Sequence, residues 1–80
     1  MPYIKKEKRQ KLAAGQKPSD PGELNYTITK LLLQYVQDKG KSYATFNDIL
    51  GVLTAVGQEF YRRWIAPYED QKKLEHGDVE

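Results

Sequence analysis

Residues 20–40 read DPGELNYTITKLLLQYVQDKG, and this stretch decides the fold class. Asp20 is suited to cap a helix, Pro21 fits its first position, and Glu23, three residues after the cap, completes a capping box. Gly40 is a typical helix stop. Between these signals the apolar side chains recur at spacings of three and four, at Leu24, Ile28, Leu31, Leu32, Tyr35 and Val36. The pattern predicts an amphipathic helix with one face that has to be buried.

A second amphipathic helix is predicted after the turn-rich stretch DKGKSYAT. Thr45 is the expected cap, with Asp48 reaching back toward it. The apolar positions of this helix, again three and four apart, are Phe46, Ile49, Leu50, Leu53, Val56, Phe60 and Trp64. Two long amphipathic helices joined by a short turn favour antiparallel packing, and neither shows the alternating pattern of a strand.

The two ends of the chain predict shorter elements. Pro2 fits the first position of a helix and Gly15 fits a helix stop, although few apolar side chains lie between them. Pro67 cannot donate a hydrogen bond to the carbonyl of Arg63, so the second long helix either kinks there or stops and restarts. A restart is favoured, because Pro67 would then be the first residue of a new helix.

The expected fold class is all-α. It is an antiparallel hairpin of two long amphipathic helices, with an N-terminal helix and a short C-terminal helix or kinked extension after Pro67. A single small domain over residues 1–80 is predicted to contain helices at residues 1–15, 20–39, 45–66 and 67–76.

Composition excludes several classes of site. The chain has 80 residues and no cysteine, which excludes disulfides and thiolate metal sites. Its single histidine, His76, does not build a zinc site, so neither a metal nor a cofactor is expected. The longest apolar run is three leucines, and the N-terminal lysines are not followed by the apolar segment of a secretion signal. These features predict a cytoplasmic protein that does not enter membranes.

Self-association is expected because a chain of this length builds only a small core. Such a core seldom leaves more than about 3–5 kcal/mol of net stability, and oligomerisation is a common remedy. Tyr26 and Leu33 lie off the main apolar face of the first long helix, and Gly51 and Ala55 allow close approach to the second. The predicted partner is a second copy of the chain, and the predicted interface residues are Tyr26, Leu33, Gly51 and Ala55.

A site for an anionic ligand is suggested by the distribution of charge and aromatic rings. Residues 1–17 carry six basic side chains and one acidic side chain, a net charge of +5, whereas the rest of the chain has a net charge of −3. In FYRRWIAPYED, Phe60 and Trp64 belong to the apolar face, and Glu59 needs only one of the two arginines as an ion-pair partner. Guanidinium groups match phosphate oxygens, and phenol rings stack on bases. The candidate site residues are Tyr3, Lys5, Lys6, Tyr61, Arg62, Arg63 and Tyr68.

Five islands of sequence carry a family resemblance. They are MPYIKKEKR, GELNYTITK, SYATFNDILGVL, EFYRRWIAPYED and EHGDV, in this order over nearly the whole chain. Together they resemble a family of small proteins encoded by phages, prophages and other mobile elements of bacteria, for which no activity is assigned. His76 stands where that family usually has asparagine. The resemblance implies an accessory protein in the cytoplasm of a bacterial host, and it implies no mechanism.

Three functions remain open. The preferred hypothesis is a non-enzymatic, self-associating helical binding module. The first alternative is an oligomeric sponge that sequesters a phosphate-containing or cyclic-nucleotide signal of bacterial immunity, by analogy of fold and setting. The second is a nucleic-acid-binding accessory protein that contacts phosphates through the basic N-terminal segment. No catalytic residue is predicted, because the adjacent carboxylates Glu69 and Asp70 point apart on a helix.

Overall fold

The computed structural model describes residues 2–80, and these residues form helices joined by short connections, with no strand among them. The elements are α1 (Lys6–Ala13), α2 (Pro21–Lys39), α3 (Tyr43–Phe60), a π-helical segment (Tyr61–Ile65) and α4 (Ala66–His76). The all-α prediction is confirmed. The chain divides into an N-terminal unit that ends at Thr45 and a C-terminal unit that begins at Phe46. The single domain and the antiparallel pairing of α2 with α3 stay predictions.

The first helix is shorter than predicted. It begins at Lys6, and Lys5 before it has an extended backbone without a side-chain cap. Ile4 donates its N–H to the carbonyl of Pro2 over 3.1 Å, which gives a tight turn where helix was expected. The first N–H groups of a helix need a capping side chain or water as acceptor, and no residue before Lys6 provides a cap. Nothing therefore stabilises an earlier start of the helix. Position 1 of the predicted helix lies outside the described residues.

The end of α1 agrees with the prediction of a glycine stop. Gly15 has a φ of +103°, a conformation that side chains rarely adopt. The N–H of Gln16 donates to the carbonyl of Lys11 and the N–H of Gly15 to the carbonyl of Leu12, each over 3.0 Å. These two bonds form a Schellman motif, which satisfies carbonyls that the ending helix leaves free.

A cluster of polar side chains, the cap cluster, joins α1 to the start of α2. An oxygen of Asp20 accepts the N–H of Glu23 over 2.8 Å, as predicted for the cap. Glu23, only 5% exposed, reaches back to the N–H and the hydroxyl of Ser19, each over 3.2 Å, rather than to Asp20. The Lys8 ammonium lies 3.5 Å from a Glu23 oxygen and 3.7 Å from an Asp20 oxygen. Lys8 therefore ties α1 to the capped end of α2.

The cap cluster makes the stability of the fold depend on pH in the acidic range. The backbone N–H of Glu23, with a smaller contribution from Lys8, holds the pKa of the Asp20 carboxyl below its ordinary value of 3.8, despite some desolvation. A carboxyl with a lowered pKa in the folded state stabilises the fold above its ordinary pKa. That contribution is lost as the pH falls through the folded-state pKa.

We expect Asp20→Asn to flatten this acid dependence. Asparagine still offers a capping oxygen but cannot take up a proton in this range. Melting temperatures of the wild type and the variant should differ most near neutral pH, and the difference should shrink as the pH falls below about 4. A difference that stays constant from about pH 6 to about pH 2 would contradict the assignment.

The start of α3 differs from the prediction. The hydroxyl oxygen of Ser42 accepts the N–H of Thr45 over 3.1 Å, and the Ser42 hydroxyl donates to the Thr45 hydroxyl oxygen over 3.1 Å. Ser42 is therefore the cap, and the helix begins at Tyr43, two residues before the predicted start. Thr45 is instead the buried third residue of the first turn. The sequence holds two capping residues three apart, and reading the second as the cap was wrong because the hydroxyl of the first accepts the N–H of the second.

The helix continues through Pro67. Ile65 and Ala66 both have α-helical backbone angles, and the N–H of Ala66 donates to the carbonyl of Tyr61, five residues earlier. This wide turn accommodates a proline, which has no N–H to donate and whose ring presses on the preceding turn of an ordinary helix. The structure therefore has neither the stop and restart nor a simple kink, and a π-helical turn carries the helical run through Pro67. Gly77, with a φ of +86°, ends α4.

Candidate functional site

The main feature of the C-terminal unit is an exposed row of apolar side chains along α3. We call it the apolar stripe, and its members on α3 and the π-helical segment are Phe46, Ile49, Leu50, Leu53, Val56, Phe60 and Trp64. None of these side chains is buried within the C-terminal unit. The reason is that α3, the π-helical segment and α4 follow one another as one helical run, so this unit has no second layer of its own. The covering of the stripe by α2 of the same chain stays a prediction.

The apolar stripe extends into α4. Tyr68 lies four residues after Trp64 and is also exposed. From Phe46 to Tyr68 the stripe runs along roughly 33 Å of helix. Near its middle, the side chains of Val56, Phe60 and Trp64 line a shallow concavity together with residues 55 and 59. The rings of Phe60 and Trp64 lie 5.4 Å apart and are tilted by 30°.

The two arginines of the predicted ligand site are both engaged by Glu59. Arg62 lies 2.7 Å and Arg63 3.8 Å from the two oxygens of that carboxylate. The guanidinium of Arg63 also lies over the Trp64 ring, 4.7 Å from its centre. The expectation that one arginine stays free of Glu59 is therefore wrong. A single carboxylate can form ion pairs with both because residues three and four apart lie on one side of a helix.

The π-helical segment brings Tyr61 and Glu69 together. The Tyr61 hydroxyl donates to a Glu69 oxygen over 2.6 Å. In an ordinary α-helix, residues eight apart are rotated by roughly 80°, and the extra residue of the wide turn brings them back to about the same side. The hydrogen bond to Glu69, and the charge of that carboxylate, raise the pKa of the Tyr61 phenol above its ordinary value of 10.0. Tyr61 is thus a protonated donor at neutral pH.

Tyr68 and three residues of the N-terminal segment complete the predicted ligand site. In α4, the ring of Tyr68 has the ammonium of Lys72 at 5.4 Å from its centre. Tyr3, Lys5 and Lys6 belong to the N-terminal unit, where Tyr3 and the two lysines are exposed. The structure thus groups Arg62 and Arg63 around Glu59, and the joining of the N-terminal residues to them stays a prediction.

One of the predicted interface residues, Tyr26, contacts other residues of the N-terminal unit. Tyr26 is half-buried and lines a groove of about 240 Å³ with Leu12 and Ala13 of α1. Tyr26 therefore has a neighbour in its own chain, whereas Leu33 remains exposed. The main apolar face of α2 is also left open, with Leu24, Ile28, Leu31 and Tyr35 all exposed.

Among the small residues of α3, Gly57 lies on the apolar stripe. It stands between Leu53 and Phe60 at helical spacing, whereas Gly51 and Ala55 lie roughly 140–180° away from the stripe. A Cβ added to Gly57 or to Gly51 would meet nothing within 4 Å. Neither glycine is required by its own chain.

Residues 2–80 contain no cluster of three or more histidine or carboxylate side chains with the geometry to hold a metal ion. No helix in this part of the chain has the length and apolarity needed to cross a membrane.

Comparison with known families assigns the chain. The family described as Domain of unknown function DUF6899 matches residues 1–79. The chain belongs to the DUF6899 family. For this DUF6899 chain, neither the curated proteins nor the solved structures give a match. The family description assigns no activity to the apolar stripe or to the arginine pair.

Proposed function

We propose that this protein is a non-catalytic, self-associating helical module whose apolar stripe is covered by a second copy of the chain. The exposure of the stripe carries the proposal. Leu50 is 62% exposed and Trp64 is 54% exposed. Both lie at the three- and four-residue spacing that is typical of the buried face of a helix. An apolar face of this extent on a folded chain is typical of a protein–protein interface.

The area of the stripe is suited to a dimer. It holds four aromatic side chains that are each about half exposed. These are Phe46, Phe60, Trp64 and Tyr68. An aromatic side chain buries about 150–250 Å² when fully covered, so these four rings alone offer roughly 400 Å². With the aliphatic members of the stripe, the face approaches the roughly 800 Å² per partner of a standard interface.

The biological setting is part of the same proposal. The five islands of sequence that resemble phage, prophage and mobile-element proteins support a role as an accessory protein of such an element. We place the protein in the cytoplasm of a bacterial host. A small module that assembles with itself would serve in that setting as a scaffold or a binding partner, with no chemistry assigned to its side chains.

The ligand-binding alternatives have less support. An anionic ligand at Arg62 and Arg63 would have to displace Glu59, which pairs with both. A nucleic acid would have to bind the basic residues of the N-terminal unit, where Lys8 is already committed to the cap cluster. Neither proposal, a sponge for phosphate-containing signals or a nucleic-acid accessory protein, explains why the stripe is exposed.

Sedimentation over a range of concentrations tests the proposal. We expect a mass of at least twice that of the chain at micromolar concentration, and dissociation on dilution. The melting temperature should rise with protein concentration, because dissociation accompanies unfolding. A folded monomer at all concentrations, with a constant melting temperature, would show that the stripe is covered within the chain and would overturn the proposal.

A further inference from the structure

We propose that the hydrogen bond between Tyr61 and Glu69 is a latch, which holds the π-helical segment and so sets the direction in which Tyr68 points. Tyr61 and Glu69 are then positioning residues for a ring of the apolar stripe. The inference rests on the proposed self-association for the purpose of that ring. The latch itself rests on geometry within the C-terminal unit, so the two can fail separately.

The π-helical segment decides which residues of α4 continue the apolar stripe. In an uninterrupted α-helix, residues eight apart differ by roughly 80° in direction, and the extra residue of a wide turn removes roughly 100° of rotation. Tyr61 and Glu69 show this directly, because their side chains meet at 2.6 Å across the turn. Phe60 and Tyr68 are also eight apart across the same turn. They therefore point within roughly 20° of each other, whereas an uninterrupted helix would set them roughly 80° apart.

Pro67 by itself does not select the wide turn. Its missing N–H and its ring disfavour an ordinary α-helical turn, but a sharp kink relieves both problems as well. A kink that keeps the α-helical register leaves Tyr61 and Glu69 roughly 80° apart, so only the wide turn allows their hydrogen bond. The bond therefore favours one of two backbones that the proline alone leaves open.

The ion pairs of α4 leave the Glu69 carboxylate to Tyr61. Lys72 and Lys73 lie three and four residues after Glu69, which is the spacing of helical ion pairs. Their ammonium groups lie instead 3.8 Å and 3.6 Å from carboxylates further along the chain. The 2.6 Å between the Tyr61 hydroxyl and the Glu69 oxygen is within the range of about 2.5–2.7 Å that is typical of a hydroxyl donating to a carboxylate.

Nuclear Overhauser contacts in a Tyr61→Phe variant test whether the latch holds the turn, because the variant keeps the ring and loses only the donor. The contact between the ring at position 61 and the Glu69 side chain should be present in the wild type and lost in the variant. The N–H of Ala66, which donates to the carbonyl of Tyr61 in the wide turn, should exchange at least about fivefold faster. Tyr43→Phe, at a tyrosine that is 89% exposed, is the matched control and should change neither.

A ring contact that persists in Tyr61→Phe, with unchanged exchange at Ala66, would show that the turn holds without the hydrogen bond. That result would overturn the inference.

Absorbance titration of the phenol is an independent check. The hydrogen bond to Glu69 raises the pKa of Tyr61 above its ordinary value of 10.0, and the charge of Glu69 adds to the effect. The difference between the titrations of the wild type and of Tyr61→Phe isolates this phenol from the other tyrosines. In Glu69→Gln its pKa should fall toward 10.0, because an amide is a neutral acceptor. A wild-type Tyr61 with an ordinary pKa would mean that the bond is not made in solution, which would also overturn the inference.

Self-association tests the positioning role. Tyr61→Phe and Glu69→Gln should each raise the dissociation constant by about fivefold, which is the order of one misplaced aromatic contact. The double variant should be no weaker than either single variant, because both substitutions break the same latch. Additive losses would show that the two side chains contact the partner independently. Unchanged dissociation constants would show that association does not depend on Tyr68, and either result would overturn the positioning role.

Failure of the proposed function gives a different result. A wild type that is monomeric at all concentrations would overturn self-association and with it the purpose of the alignment. The ring contact and the phenol titration would still decide whether the latch exists, because both are measured within one chain.

Discussion

Leu50→Glu is expected to dissociate the protein into monomers and to unfold much of the C-terminal unit. Leu50 is a central member of the apolar stripe and 62% exposed in its own chain. In a dimer the introduced carboxylate would be buried without a partner. The lost burial and the desolvated charge together cost about 3 kcal/mol or more per chain, which is at least about 100-fold in the dissociation constant.

The matched control is Gly51→Glu. Gly51 is next to Leu50 on the same helix, is exposed, and lies on the side of the helix opposite the stripe by helical rotation. This variant should keep the wild-type mass and the wild-type helical signal in circular dichroism. Sedimentation of both variants at several concentrations decides the question. A Leu50→Glu protein that remains dimeric, or a Gly51→Glu protein that dissociates as readily, would show that another face is used.

Trp64→Ala is expected to lower the free energy of unfolding of the assembled protein by about 3–5 kcal/mol. Within the chain Trp64 is half exposed and contacts Phe60 and Arg63, and such a ring pair contributes only about 0.5–1.5 kcal/mol. We expect the larger part of this loss to come from burial against the proposed second copy. Trp64→Phe, which keeps a ring at this position, should retain most of the stability.

The tryptophan itself provides a second measurement. Trp64 is the only tryptophan of the chain, so its fluorescence reports on this position alone. We expect the emission of the wild type to shift to longer wavelength on dilution through the dissociation range, as the ring becomes exposed to water. An emission spectrum that does not change on dilution of a dissociating protein would mean that Trp64 lies outside the interface. A Trp64→Ala variant with the wild-type melting temperature would mean the same.

Local signals in the sequence were sufficient for α2. Asp20, Glu23 and Gly40 start and end the helix as predicted, because capping depends on backbone groups only a few residues away. The same kind of signal was ambiguous at α3, where Ser42 and Thr45 are both capping residues and only the folded turn decides between them. The position of Lys8 in the cap cluster had no sequence signal, since the contact spans the connection between two helices.

At Pro67 the sequence left the course of the helix open, and the backbone structure shows it. A proline predicts a kink or a stop, and both were reasonable from the residues alone. The π-helical segment is a third solution, in which one wide turn absorbs the proline and sets Tyr61 beside Glu69. A π-helical turn depends on several residues together, so no single residue in the sequence predicts it.

The sequence by itself determined that the protein is all-α and which side chains share the apolar stripe. Helical periodicity is a local property, and it assigns residues such as Leu53 and Trp64 to one face whatever surrounds them. Only the tertiary structure showed that the C-terminal unit has no second layer of its own to cover this face. The physical reason is that helical periodicity specifies which surface of a helix is apolar. What covers that surface depends on which other segments pack against it, either distant parts of the same chain or a second chain.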